Sequence, residues 1–152
     1  VPRLPSLIVR LPAMLLTVFA LMLPAHAQEF VSIKGNQVNV RQDPTTKAEV
    51  LWHLDNGYPL QVEERKEQWL KVRDHEASLG WVSAKLTSNA AHHLVVASKV
   101  NLRAGPGSNH KVLAQLDDDE VLRTLKKEGD WVQVKRSNGQ TGWVAKKLMW
   151  GW

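Results

Sequence analysis

Residues 99–106 read KVNLRAGP, and residues 37–44 read QVNVRQDP. Val, Asn, an aliphatic residue, Arg and Pro fall in the same order in both, and Val100 follows Val38 by 62 positions (100 − 38). The offset holds without a gap from Val38/Val100 to Leu86/Leu148, and 16 of those 49 pairs are identical. Residue types present at several per cent each would give about three such matches by chance. Trp69/Trp131 and Trp81/Trp143 are among them. The chain is a tandem duplication, with units expected over residues 28–89 and 90–152.

Within each unit the apolar period is two. KVNLR (99–103) places Val100 and Leu102 on one face, and DWVQVKR (130–136) opposes Val132 and Val134 to Trp131, Gln133 and Lys135. EVLRTLKK (120–127) is apolar enough for a strand with one buried face, and TGWV (141–144) makes a short last strand. Turn signals separate them at AGPG (104–107), EGD (128–130) and SNG (137–139), and the first unit reads the same way. One turn of 3₁₀ helix is expected at SAKL and at AKKL. Short strands at such spacings predict an all-β fold, barrel or sandwich. TSNAAHH, between the units, is too brief for a flexible tether, so the two are expected to pack closely.

VNLRAGPGS, GDWVQV and GWVAKKL, with VNVRQDP, WLKV and GWVSAKL in the first unit, resemble bacterial SH3 (SH3b) domains. The likeness runs along the whole chain after its first 27 residues. It implies two tandem small SH3-like barrels that bind cell-wall peptides. The first copy departs from the pattern at Gln42-Asp43-Pro44-Thr45 and in lacking a Gly before Gln68-Trp69. Those departures bear on a ligand role for its turns, not on the fold.

Ahead of the repeats, Arg3 and Arg10 precede an uncharged run from Leu11 to Leu23, then Pro24 and Ala25-His26-Ala27. A basic start, a short apolar run and a small-x-small end predict a secretory signal peptide over residues 1–27. The run is shorter than the roughly 20 apolar residues a membrane span needs. A periplasmic or secreted location follows, with no membrane anchor once the leader is cut. Cys is absent, so neither a disulfide nor a thiol nucleophile is available. The net charge of +5 is too mild to point to nucleic acid. Within 28–152 the charge divides unequally. The first unit has 8 basic and 9 acidic residues, and the second has 10 and 6.

Alternation sets Trp69 on one face with Lys71 and Arg73, and Trp131 with Gln133 and Lys135. These six residues are the candidate ligand-binding set, since the resemblance implies a groove and an aromatic platform beside basic groups suits a wall peptide. Trp81 and Trp143, each after a Gly, are expected to seal the core. Arg41 and Arg103 are expected to stabilise the turns that follow them. Trp52, Tyr58, Trp150 and Trp152 have no aromatic counterpart in the other copy, which makes them candidates for an inter-unit interface. Catalysis and metal binding are not expected. The Asp117–Glu120 run and the His92-His93 pair splay apart on a strand or turn, and no nucleophile motif occurs. No cofactor is implied. The leading reading is an exported binding module for peptidoglycan stem peptides or another envelope component. The alternative is a structural or protein–protein interaction module that touches no wall polymer.

Overall fold

The computed structural model describes residues 27–152. The leader expected over residues 1–27 lies outside the described residues, apart from Ala27. The first unit forms β1 (Phe30–Ile33), β2 (Val38–Arg41), β3 (Val50–Leu54), β4 (Pro59–Lys66), β5 (Trp69–Arg73), β6 (Leu79–Ser83) and, after a 3₁₀ turn at Ala84–Leu86, β7 (Thr87–Ser88). The second forms β8 (His92–Val95), β9 (Val100–Arg103), β10 (Val112–Leu116), β11 (Val121–Glu128), β12 (Trp131–Lys135), β13 (Thr141–Ala145) and, after a 3₁₀ turn at Lys146–Leu148, β14 (Met149–Gly151).

Strand order is β3-β2-β6-β5-β4-β1-β7 in one sheet and β10-β9-β13-β12-β11-β8-β14 in the other. Adding seven to each label turns the first order into the second. The described residues are all-β apart from the two 3₁₀ turns, and every strand pair is antiparallel. TSNAAHH does not behave as a linker. Its ends are strand, with Thr87–Ser88 paired to β1 and His92-His93 opening β8. His93 is buried there, which a polar-stretch reading could not anticipate.

Each sheet buries its own aliphatic stripe. Val31, Ile33, Val38, Leu60, Leu70, Val72 and Val82 make one core. Val95, Val100, Leu102, Leu116, Leu122, Val132, Val134, Val144 and Met149 make the other. Gly80 and Gly142 lie where β6 and β13 press on β2 and β9. A Cβ on Gly80 would stand 2.4 Å from Val40 Cγ1, and one on Gly142 2.6 Å from Leu102 Cγ, so neither site has room for a side chain. Trp52 belongs to this packing and not to the inter-unit interface. Its register opposite Val40 turns it inward, and its ring lies 3.3 Å from the Gly80 Cβ position.

The departures of the first copy from the second have local compensations. A Cβ at Gly105 would fall 2.5 Å from the His110 ring, whereas in the first copy Asp43 is matched with Ala48 at the equivalent place. Glu67 takes the left-handed conformation (φ 54°) that Gly129 takes (φ 57°) in the second copy, so the turn survives the loss of its glycine. Arg41 and Arg103 act as expected. Each donates a guanidinium hydrogen bond to the carbonyl that closes the following loop, Arg41 to Ala48 at 2.8 Å and Arg103 to His110 at 3.0 Å.

The units meet through β1 and β4 of the first and β8 and β14 of the second. Buried Ser32 donates from Oγ to the Ala90 carbonyl at 2.7 Å and lies 2.9 Å from His92 Nδ1. Trp150 folds back onto the first unit, edge-on to Phe30 with ring centroids 5.1 Å apart, and Trp152 approaches the same ring at 5.8 Å. His75 continues the stack toward Trp150 at 6.4 Å and hydrogen-bonds through Nδ1 to the Tyr58 hydroxyl at 3.0 Å. Burial, then the charges of Asp74, Asp119 and Glu76, raise the Tyr58 pKa and hold the phenol protonated. At Tyr58's place the second copy has Glu120, which accepts hydrogen bonds from Arg136 at 2.6 Å and 3.2 Å.

Candidate functional site

Strand alternation sets Leu70 and Val72 inward and leaves Trp69, Lys71 and Arg73 on the outer face of β5, all of them half-buried. β12 repeats the pattern with Trp131 and Gln133 half-buried and Lys135 exposed. Trp69 lines a groove of about 500 Å³, and Trp131 lines one of about 240 Å³. The other walls come from elsewhere in the chain. β6 pairs with β5 and β2 lies beyond β6 in the sheet, and the 3₁₀ turn follows β6, so residues remote in sequence converge on the indole.

The two grooves are the same construction. All eight lining positions of the smaller one recur in the larger at the 62-residue offset. They are Gln37/Lys99, Asn39/Asn101, Arg41/Arg103, Thr46/Ser108, Trp69/Trp131, Ser83/Ala145, Lys85/Lys147 and Leu86/Leu148. Five of these eight pairs are identical, against 16 of the 49 aligned overall, so the groove is better preserved than the barrel around it. Gln37 and Lys99 both hold left-handed backbone (φ 53° and 57°) at the groove edge. That conformation is costly for a side-chain-bearing residue, and both copies retain it.

Lys71, Arg73, Gln133 and Lys135 share the outer face with their tryptophans but do not line the grooves. Lys71 and Gln133 lie cross-strand from Trp81 and Trp143. Arg73 Nε stands 2.7 Å from Glu63 Oε1, close in charge although its N–H is not aligned on that oxygen. Lys135 is opposite Arg123 and Thr141 near the far end of β12. Trp81 and Trp143 are buried, each 9% exposed, but on the outer face and not in the aliphatic core. Val82 and Val144, their neighbours in sequence, take the inward positions, and in the sheet Trp81 lies opposite Lys71 and Arg41 as Trp143 lies opposite Gln133 and Arg103.

The groove lining combines polar, cationic and apolar groups. An Asn amide offers a donor and an acceptor, Arg and Lys add cationic donors, and the indole gives an apolar wall. The arginine's hydrogen bond to its own loop fixes its position before any ligand arrives.

The chain belongs to the bacterial SH3 domain family, whose model matches residues 34–89 and again 96–151. Its two units are tandem SH3-like barrels. Among curated proteins it is similar to YrvJ of Bacillus subtilis (strain 168), whose name assigns it provisionally to the N-acetylmuramoyl-L-alanine amidases. The two are 30% identical over 66 residues, which is 43% of this chain and 13% of YrvJ. Among solved structures, NlpC2 of Trichomonas vaginalis aligns at 11% identity and a TM-score of 0.36, covering 82% of this chain and 48% of that one. An NlpC/P60 family protein of Bacillus cereus aligns at 15% identity and a TM-score of 0.34, covering 82% and 56%. The chain thus spans about half, or less, of the length of each of these proteins.

Proposed function

We propose that this is an exported, non-catalytic module that holds to the cell wall, each groove engaging a peptide stem of peptidoglycan. The single observation that carries the reading is the duplicated groove, with Trp, Asn, Arg and Lys kept at equivalent places while the surrounding barrel diverged. Membership of the bacterial SH3 family and likeness to a protein named for a wall-bond amidase support it. In this reading the indole packs against the aliphatic part of a stem peptide. Asn39 or Asn101 pairs with its amides, and Lys85 or Lys147 with its carboxylates. A periplasmic or extracellular location follows from that ligand and from the leader-like start of the sequence.

Co-sedimentation with insoluble peptidoglycan tests the proposal. The unaltered chain is expected to pellet with the wall and to be released by soluble stem peptide. Replacing both Trp69 and Trp131 by Ala is expected to weaken pelleting by about thirtyfold, the loss of a buried aromatic anchor. Thermal melts of the same samples separate lost binding from lost folding. A chain that folds but never pellets would instead favour a module that docks on an envelope protein.

A further inference from the structure

A cleft of about 740 Å³ opens beside the second groove, bounded by His93, Asp130, Trp131, Lys146, Met149 and Trp152. It shares Ser108, Trp131, Ala145 and Lys147 with that groove, so the two hollows meet at one indole. The first copy is built differently here. At the 62-residue offset Asp130 becomes Gln68, Lys146 becomes Ala84, Met149 becomes Thr87 and Trp152 becomes Ala90. The hollow beside Ala84 and Thr87 measures only about 250 Å³, and Trp69 does not line it.

The cleft combines two indoles and a thioether with a surplus of positive charge. Lys146 and Lys147 are exposed, and neither makes an ion pair among the described residues. Lys127 is close enough to feel Lys146: burial, then that neighbouring charge, lowers its pKa. Asp130 is the one acidic side chain in the lining. At the buried side, His93 is tied down through Nδ1, 2.6 Å from Thr124 Oγ1. Flat apolar walls with cations at the rim suit a ring that has a CH-rich face, a hydroxylated edge and a negative substituent. An apolar ring would leave the lysines unmatched, and a small inorganic anion would leave the indoles unused.

We propose that this cleft binds an anionic sugar residue, a pyranose carrying a carboxylate or a phosphate, and that only the second copy does so. The sugar would lie against Trp131 and Trp152 with its charge toward Lys146 and Lys147. The proposal rests on the wall-binding reading only in supposing that such polymers are what the protein meets. It gives the two copies different tasks, one recognition element in common and a second confined to the C-terminal barrel.

Calorimetric titration of the full chain with trigalacturonate, phosphopentamannose and neutral mannopentaose tests this. At least one anionic probe is expected to bind with a stoichiometry of one, and the neutral sugar about tenfold more weakly or not at all. The anionic probe that binds identifies the charged group. K146A and W152A, which install the first copy's own residues, are each expected to weaken that binding about tenfold while leaving Trp69-dependent wall pelleting in place. Lys146 is exposed, so K146A leaves the core untouched. Failure of both anionic probes to bind, two equal sites per chain, or binding indifferent to K146A would overturn the proposal. Failure of the unaltered chain to pellet with the wall, with sugar binding intact, would count against the groove reading alone.

Discussion

Leu122→Ala is expected to lower the melting temperature of the second barrel by about 10–25 °C and to leave the core of the first folded. Leu122 is fully buried, and truncating a buried Leu costs about 2–5 kcal/mol once the cavity is counted. A barrel of this size has only about 3–9 kcal/mol in hand. The aliphatic cores are separate clusters, so the loss falls on one of them. Leu60→Ala, at the equivalent position, is expected to do the same to the first barrel. Near-UV circular dichroism and amide spectra recorded through the melt read both. Equal loss of structure in both barrels from either substitution would mean that the interface around Ser32, Phe30 and Trp150 fuses them into one cooperative unit.

Acidification is expected to weaken the second barrel through His93. Its pKa is lowered to about 4, chiefly by burial and then by the charge of Lys127, with Lys146 and His92 adding to the effect and the Trp152 backbone opposing it. Well above pH 6.5 the ring is neutral in both folded and unfolded chains and adds no pH dependence to stability. Between pH 6.5 and about 4 the unfolded chain binds a proton that the folded chain refuses, so stability falls as pH falls. Below about 4 both forms are protonated and the loss is complete, amounting to about 3 kcal/mol. H93V carries the residue found at Val31 in the first copy. Urea unfolding at pH 7.5 and pH 4 is expected to show the unaltered chain losing about 3 kcal/mol more than this variant. His92, whose pKa burial also lowers, remains in both and cancels from the comparison. An identical acid loss in the two proteins would show that His93 is not the group responsible.

Much of this fold is written in the repeat. The alternation in WLKV and WVQV assigns Leu70, Val72, Val132 and Val134 to the core, and the doubled GW marks the tight crossing of β6 and β13 over β2 and β9. β1 and β8 are harder to read, because Phe30–Ile33 and His92–Val95 precede the aligned stretch and share no identical pair. The groove is legible only in part, for a geometric reason. Alternation along one strand tells which face a side chain takes, so Lys71, Arg73, Gln133 and Lys135 are the natural companions of the tryptophans in sequence. A site also needs neighbours across strands, and these depend on the order β2-β6-β5, which no local pattern carries. Asn39, Arg41 and Lys85 are each identical to the residue 62 positions on, but identity alone does not separate a groove residue from a structural one, and Arg41 reads from sequence only as a turn-stabilising residue. Likewise, the lack of any counterpart singles out Trp150 as an interface residue, but nothing in the sequence pairs it with Phe30.

Whether the doubled indole-walled hollow is where the wall is gripped can be read at the indole N–H signals, since the chain has seven Trp and each gives one. On titration with soluble stem peptide, the account predicts that the Trp69 and Trp131 signals shift together while those of Trp81 and Trp143, both buried, hold still. Movement of Trp81 and Trp143 with Trp69 and Trp131 unchanged would contradict it.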